Sequence, residues 1–376
     1  MKLRTDQKTL AEAAAWAARQ VPGNLLEPIR AGLLLTADGT QLTLAGFDGE
    51  TSTMACCAAD IASSGRAVVS AKTFSAIVGS FPVGDVELTL EDSVMAVHSP
   101  GGDFQLATMP LVDFPRLPEM PAPAGTVAGD VLAKAVADIA HLADPDIGAI
   151  PALAGIRFTA KGDKLTLATT DRYRVGFRTV PWKPTGVPFE TAVVPAKAVA
   201  EAVKGAVSDV QLALPGPESM LAGFASGGHT SIIRVIGEAY PPVDKVIPVK
   251  YAAEVELDAG ELLAAVRRIH LVTEEKKPLR MEFTADRLTV AAASGDLARG
   301  SVRLDCQMEG PDRIRVCFNP RYLADGLQAM SGPIRIAITN PILPVLFTSV
   351  NDEAARYLST PVRDPWSTGA TTHPAA

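Results

Sequence analysis

No stretch of this chain carries the roughly 20 consecutive apolar residues a membrane-spanning helix needs. Its first residues, Met1-Lys2-Leu3-Arg4-Thr5-Asp6, turn polar at once and lack the apolar region of a secretory leader, so a cytoplasmic protein is expected. Cysteine is scarce: Cys56, Cys57, Cys306 and Cys317 form no CxxC pair and have no histidine at zinc-finger spacing, so buried, reduced thiols are expected rather than metal ligands. Aromatics make up only 5% of the residues, which leaves Ala, Val, Leu and Ile to build the cores. Positive charge is also short. With 35 Lys and Arg against 42 Asp and Glu, the net charge of −7 excludes a protein that grips nucleic acid by charge density alone. Any role on DNA must rest on a local basic surface or on topology.

Catalytic motifs are missing as well. There is no phosphate-binding GxxxxGK(S/T) loop, no GxGxxG, no HExxH and no GxSxG. Gly227-Gly228-His229 joins two strand-like runs and reads as a hairpin turn; Asp144-Pro145-Asp146 reads as a solvated turn. His98, His141, His229, His270 and His373 show no spacing suited to a metal or a catalytic triad. The chain is therefore expected to be no enzyme, with no cofactor and no metal.

What is present is a threefold repeat. The 376 residues, 47% of them hydrophobic, suit two or three domains of about 100–150 residues each. Helix-like segments at 6–21, 130–143 and 258–272 each open with an aspartate read as an N-cap, and Leu10, Leu132 and Leu262 match among them. Hairpin patterns follow at 32–44, 155–167 and 279–290, with Leu44, Leu167 and Val290 spaced by 123. A second short helix then places Lys72, Lys197 and Arg321 in its first turn, 125 and 124 residues apart. The helix dipole prefers an anion there, so the recurring cation answers something else. Repeats one and two end in matching proline turns, Asp113-Phe114-Pro115 and Ala239-Tyr240-Pro241. Each repeat thus predicts an α+β domain with two helices on antiparallel sheet, three in tandem.

The most specific segments are Ala168-Thr169-Thr170-Asp171-Arg172-Tyr173-Arg174, Val194-Pro195-Ala196-Lys197, Phe318-Asn319-Pro320-Arg321-Tyr322-Leu323 and Tyr357-Leu358-Ser359-Thr360-Pro361-Val362-Arg363. In this order, over this repeat, they resemble the beta subunit of bacterial DNA polymerase III, the sliding clamp, across about residues 1–363. The resemblance implies three DNA-clamp domains, at 1–122, 123–249 and 250–363, followed by a disordered tail at 364–376. It implies a ring-forming head-to-tail homodimer whose helices line a hole for double-stranded DNA. It also implies a non-catalytic processivity factor that a clamp loader opens and that tethers the polymerase III alpha subunit and other clamp-binding proteins.

The same resemblance carries residues over. Lys72, Lys134, Lys197, Lys204, Arg267 and Arg321 would face DNA, and Phe104 and Leu106 would meet His270 and Leu271 across the ring interface. A partner-peptide groove between domains two and three would use Leu153, Thr170, Arg172, Tyr173, Arg174 and Val175 from the second repeat. Pro241, Lys245 and Val246 would join from the connector, and Asn319, Tyr322, Ile342 and Pro344 from the third repeat. The final segment Leu358, Ser359, Thr360, Pro361, Val362 and Arg363 completes it. Ser359 and Thr360 depart from the apolar pair usual in the family, Lys245 replaces a frequent Arg, Asn24 replaces a DNA-contacting Arg, and Arg30 and His270 are more polar than usual. A retuned, second-copy clamp that tolerates a groove-binding cyclic peptide antibiotic is one expectation; a peptide-binding scaffold that no longer slides is the alternative.

Overall fold

The computed structural model describes residues 1–21, 28–144, 150–187, 189, 191–215, 219–274, 277–294 and 298–365. Asn24, Pro145-Asp146, His373 and the tail beyond 365 lie outside the described residues. The chain forms two compact units. The first comprises Met1–Val136, Phe158–Leu165 and Pro181–Gly237; the second comprises Ala137–Arg157, Thr166–Val180 and everything from Glu238 onward.

Among the described residues the repeat is regular, with nine strands and two α-helices each time. Repeat one runs β1 (Lys2–Asp6), α1 (Gln7–Ala18), β2 (Gly32–Asp38), β3 (Gln41–Phe47), β4 (Thr51–Ala58), β5 (Asp60–Ser63), β6 (Gly65–Ser70), α2 (Ala71–Ser80), β7 (Asp85–Glu91), β8 (Val94–Ser99) and β9 (Gly102–Ala107). Repeat two runs β10 (Gly125–Val127), α3 (Gly129–Ile139), β11 (Gly155–Lys161), β12 (Lys164–Thr170), β13 (Arg174–Pro181), β14 (Lys183–Pro184), β15 (Thr191–Pro195), α4 (Ala196–Val203), β16 (Val210–Ala213), β17 (Leu221–Ser226) and β18 (His229–Arg234). Repeat three runs β19 (Ala253–Asp258), α5 (Ala259–His270), β20 (Leu279–Phe283), β21 (Arg287–Ser294), β22 (Ala298–Asp305), β23 (Gln307–Glu309), β24 (Ile314–Phe318), α6 (Pro320–Leu327), β25 (Pro333–Ile338), β26 (Val345–Ser349) and β27 (Ala355–Ser359).

The local chemistry explains the element boundaries. Asp6 and Asp258 cap α1 and α5, accepting from Thr9 N and Glu261 N, each at 3.0 Å. The expected third cap is corrected: α3 starts at Gly129, so Asp130 lies inside the first turn, where its charge suits the dipole but caps nothing. A side chain at 129 would meet the Ser208 carbonyl at 2.1 Å, which is why glycine opens that helix. Gly39, with φ +58°, makes the β2–β3 turn. Ser70 and Asn319 cap α2 and α6, while Pro195 ahead of α4 offers no side-chain cap.

The order β5-β1-β7-β8-β9 recurs as β14-β10-β16-β17-β18 and as β23-β19-β25-β26-β27. The order β4-β3-β2-β6 recurs as β22-β21-β20-β24. Two joints fuse these pieces. Within the first unit β18 pairs with β4, from His229↔Ala55 to Ile233↔Thr51. Within the second, β27 pairs with β13, from Ala355↔Arg178 to Ser359↔Arg174. Equivalent strands thus meet in one register, and continuous sheet runs from one repeat into the next.

The cores are aliphatic, as the composition required. In the first unit Leu10, Ala14, Leu35, Leu44, Val69 and Val86 share one buried cluster with Phe74. α1 packs beside α2, and α5 beside α6. The thiols divide: Cys57, Cys306 and Cys317 are buried, and burial pushes their pKa up to about 11, 11 and 12. Cys56 is exposed, which corrects the expectation of four buried thiols; neighbours on a strand face opposite ways, and Cys57 takes the inner face. Among the described residues no helix is long and apolar enough to cross a membrane.

Candidate functional site

The site in the second unit is organised by the turn from β12 into β13. Asp171 Oδ1 accepts from the backbone N–H of Tyr173 and Arg174 at 3.0 and 3.1 Å, and Thr170 Oγ1 accepts from Arg172 N at 3.1 Å while donating to Arg174 O at 2.7 Å. These bonds hold Arg172 at φ +79°, a strained conformation for a side chain of that size. Arg174 is then pinned. Its Nε donates to Asp171 at 2.9 Å, its Nη1 to Asp325 at 2.5 Å, and its guanidinium lies 4.4 Å from the Tyr322 ring centroid. Burial works against the charge, but the hydrogen bond to Asp325 and the surrounding negative charge outweigh it, so the Arg174 pKa sits above its ordinary value.

Beside this turn opens a cavity of about 340 Å³. Its walls are Leu153, Thr170, Arg172, Tyr173, Arg174 and Val175; Pro241, Val246 and Pro344; and Leu358 and Thr360 from β27 and the residue after it. Pro242 and Val243 also line it; they were not singled out from the sequence, although they directly follow Pro241. A mostly apolar cleft with a few fixed polar groups suits a short peptide better than a charged ligand. Below it, Arg157 clamps Asp244 at 2.8 and 3.0 Å, steadying the turn that carries Val243 and Val246. The Tyr240 hydroxyl donates to Ala168 O at 3.2 Å.

Other predicted groove residues fall around the cavity rather than on its walls. Tyr322 stacks with Tyr173 at 6.1 Å, and Asn319 caps α6. Lys245, Ile342, Val362 and Arg363 are exposed, and Pro361 is half-buried. Val362 N donates to Cys317 O at 2.8 Å. Ser359 is different. Alternation along β27 turns it away from Leu358 and Thr360, it is 1% exposed, and its hydroxyl has no hydrogen-bond partner. Its equivalents in the joint register are Ile233 and Leu106, both buried and apolar.

The predicted cations lie on the helices. Lys72, Lys197 and Arg321 are each the second residue of α2, α4 and α6, and all three are exposed, as are Lys134 on α3 and Arg267 on α5. Lys204 follows α4, 3.8 Å from Glu201. Phe104 on β9 is 39% exposed and Leu271 after α5 is 84% exposed, whereas Leu106 is buried and His270 exposed.

Three copies of one nine-strand, two-helix module, fused through sheet edges and presenting a cation at the head of each second helix, define a tandem clamp-fold protein. Models of the DNA polymerase III beta subunit match along the chain: the N-terminal domain at residues 1–118, the central domain at 126–242 and the C-terminal domain at 244–363. The beta sliding clamp of Streptomyces coelicolor is 36% identical over 375 residues, covering 96% of this chain and 99% of the relative. The beta sliding clamp homolog GriR of Streptomyces muensis is 31% identical over 373 residues, covering 96% and 99%. Among solved structures, the Bacillus subtilis sliding clamp superposes with TM-score 0.89 at 22% identity, covering 97% and 99%. A Pseudomonas aeruginosa sliding clamp solved bound to griselimycin superposes at 0.90 with 20% identity, covering 96% and 99%. The chain belongs to the DNA polymerase III beta subunit family: it is a sliding clamp of the replicative polymerase, a non-catalytic processivity factor.

Proposed function

We propose that two copies of this chain close head to tail into a ring around duplex DNA, and that the cavity in the second unit docks peptide segments of partner proteins. One observation carries the ring. Equivalents of β9 pair with equivalents of β4 at both joints, yet β9 itself and β22, the remaining member of each set, lie at sheet edges. Exposed edges of this kind invite pairing. The register of the two joints predicts Gly102↔Val302 and Leu106↔Ala298 between copies, with Phe104, Leu106, His270 and Leu271 alongside. A heterologous contact that repeats and closes gives a ring. The domains divide at 1–122, 123–249 and 250–363, and the helices, carrying Lys72, Lys134, Lys197, Lys204, Arg267 and Arg321, face DNA in the bacterial cytoplasm.

The partners are the polymerase III alpha subunit, the clamp loader and other proteins with a clamp-binding segment. The threonine at 360 makes this pocket less apolar than the family pattern, which supports a clamp retuned against a cyclic peptide antibiotic of the griselimycin kind. Sedimentation at micromolar concentration tests the ring: a dimer is expected, retained on nicked circular DNA after loading and released when the circle is cut. A monomer under those conditions overturns it. Titrating griselimycin and a polymerase-tail peptide tests the pocket. Weakened griselimycin binding with the tail peptide retained is the expected result, and family-typical affinity for both refutes the retuning.

A further inference from the structure

In repeat one the sheet face turned away from α1 is closed by the segment that follows β9. Leu33, Leu35 and Val69 join the cluster of Leu10 on α1, whereas Leu34, Ala45 and Val68 face the other way and form a second cluster with Met109 and Phe114. That segment reaches the sheet edge through one bond, from Met109 N to Val68 O at 2.8 Å. The segment after β18 makes the same bond, from Ile236 N to Val193 O at 2.8 Å, and the segment after β27 makes it again, from Val362 N to Cys317 O at 2.8 Å. Val68, Val193 and Cys317 are 125 and 124 residues apart, the steps that also separate Lys72, Lys197 and Arg321.

Each of the first two connectors then brings in an aromatic ring. Phe114, five residues after Met109, packs against Leu34, Ala45 and Val68. Tyr240, four residues after Ile236, packs on the cluster that includes Ala168, donates its hydroxyl to Ala168 O and has the Arg157 guanidinium 5.5 Å from its ring centroid. The third repeat carries the equivalent face. Arg280 is paired with Ala291 and with Cys317, as Leu34 is paired with Ala45 and with Val68. Cys317 is 2% exposed, and burial, then the nearby Asp364 carboxylate, push its pKa up to about 12. The chain after β27 therefore follows this face as far as Asp364. Four residues after Val362 the sequence has Trp366, which lies outside the described residues.

We propose that Trp366 docks on this face as the third connector ring, stacked on the Arg280 guanidinium and covering Ala291 and Cys317. Reach and chemistry both name this occupant. The step from the edge bond to the ring equals the one that carries Tyr240 to Ala168 and Arg157, so the chain is long enough. Tryptophan is the best aromatic partner for a guanidinium, and a sulfur is a favourable neighbour for a ring. Pro365 precedes this ring, where Pro115 and Pro241 follow theirs, so φ is fixed on the approach instead of on the exit. Docking also bears on the peptide cavity. Residues 360–363 are then held at both ends, by β27 and by the ring, and Thr360 is a wall of that cavity. This consequence rests on the peptide-docking reading above, whereas the docking of the ring does not.

The full chain, labelled with ¹⁵N-tryptophan, supplies the first test, with Trp366→Phe identifying the Trp366 indole resonance. A docked ring gives the heteronuclear NOE of the Trp16 and Trp182 indoles; the value of a chain end moving freely on the nanosecond scale overturns the docking. Thiol titration supplies the second. In the wild type Cys56, the exposed thiol among the four, reacts alone. Trp366→Ala should make a second thiol reactive, and Cys317→Ser in that background should return the number to one. Trp366→Phe should leave it at one, since Phe114 covers the matching face in repeat one. A single reactive thiol in Trp366→Ala overturns the cover over Cys317. Reaction of Cys57 and Cys306 as well marks a chain that has unfolded, and the indole measurement on the wild type then decides. Calorimetry with a polymerase-tail peptide reads the cavity wall, with binding about threefold weaker in Trp366→Ala expected. Unchanged affinity in a chain whose Cys317 has become reactive keeps the docking and overturns its effect on the cavity. A wild type that binds no such peptide counts against the groove reading alone.

Discussion

The two joints of this chain are built alike and lined differently. In the first unit Asp48 Oδ1 accepts from Glu50 N and Thr51 N at 2.8 and 2.6 Å, as Asp171 does for Tyr173 and Arg174 in the second. Gly49 has φ +103° where Arg172 has +79°. Pro115 stands in one turn and Pro241 in the other, and each joint has a cavity, about 440 Å³ in the first unit and about 340 Å³ in the second. The linings part company at matching positions: Arg30 for Leu153 and Glu50 for Tyr173. One backbone therefore serves two outcomes. Apolar walls reward an apolar peptide, whereas Arg30, Asp48, Glu50 and Asp113 would have to shed water to admit one. Arg172 also endures strain that Gly49 avoids, a cost retained where a side chain lines the working cavity.

The largest expected difference lies behind the joints. Arg178→Ala in the second unit breaks the ion pair with Asp138, whose side chain is 15% exposed, and removes the hydrogen bond to Ala329 O. Breaking a buried pair of this kind costs about 3–5 kcal/mol, read as a lower urea midpoint. Substituting Arg19 in the first unit, whose exposed guanidinium donates only to a backbone carbonyl, that of Glu201, among the described residues, should cost under about 1 kcal/mol. Equal losses would mean that the two joints are not stabilised differently after all.

Next comes the cavity lining. Thr360→Met adds apolar surface to the second cavity and should tighten a polymerase-tail peptide about tenfold by calorimetry. Glu50→Leu in the first cavity removes one of several charged groups and should create no comparable site. Binding there would show that a single wall residue, rather than the whole lining, sets the contrast. Ser359→Ala is a smaller change. It removes a buried hydroxyl without a partner at the place held by Ile233 in the first joint, and should raise stability by about 1 kcal/mol.

Much of this was legible in the sequence. Capping aspartates, turn residues and prolines act locally, so they mark the repeat and its α+β character without knowledge of contacts. The groove wall from Leu153 to Val175 came through family resemblance, since nothing local distinguishes Val175 from core. What stayed hidden depends on pairing. The fusion of β18 with β4 and of β27 with β13 joins strands far apart in the chain, and no local pattern encodes it. Ser359 looked like a groove residue beside Thr360, yet strand alternation could have turned it inward once Leu358 was placed on the wall. Asp130 was misread as a cap because Gly129 before it was not recognised as the helix start. The first unit's cavity of about 530 Å³ is lined by Trp16, Lys204 and His229, which only the fold brings together.

The smallest effect tests whether the second joint alone carries a pH-sensitive brace. Arg157 holds Asp244, and its counterpart in the first unit, 123 residues earlier, is the buried Leu34. The hydrogen bond from Arg157 is the main reason the Asp244 carboxyl titrates below its usual range; burial opposes it, and the Arg157 charge adds to it. A carboxyl whose pKa is lowered on folding binds its proton more readily in the unfolded chain. Its contribution is therefore present above the unfolded value, about 3.9, and is lost as pH falls through the lower folded value. Because the Asp244 side chain is 61% exposed, solvent screens the pair and the contribution should stay under about 1 kcal/mol. Urea midpoints of wild type and Asp244→Asn should thus differ slightly at pH 6–7 and converge in strong acid. A gap that persists undiminished at low pH would assign the loss to packing of the Val243–Val246 turn instead of to the charge, and the brace would then distinguish the joints by shape and not by electrostatics.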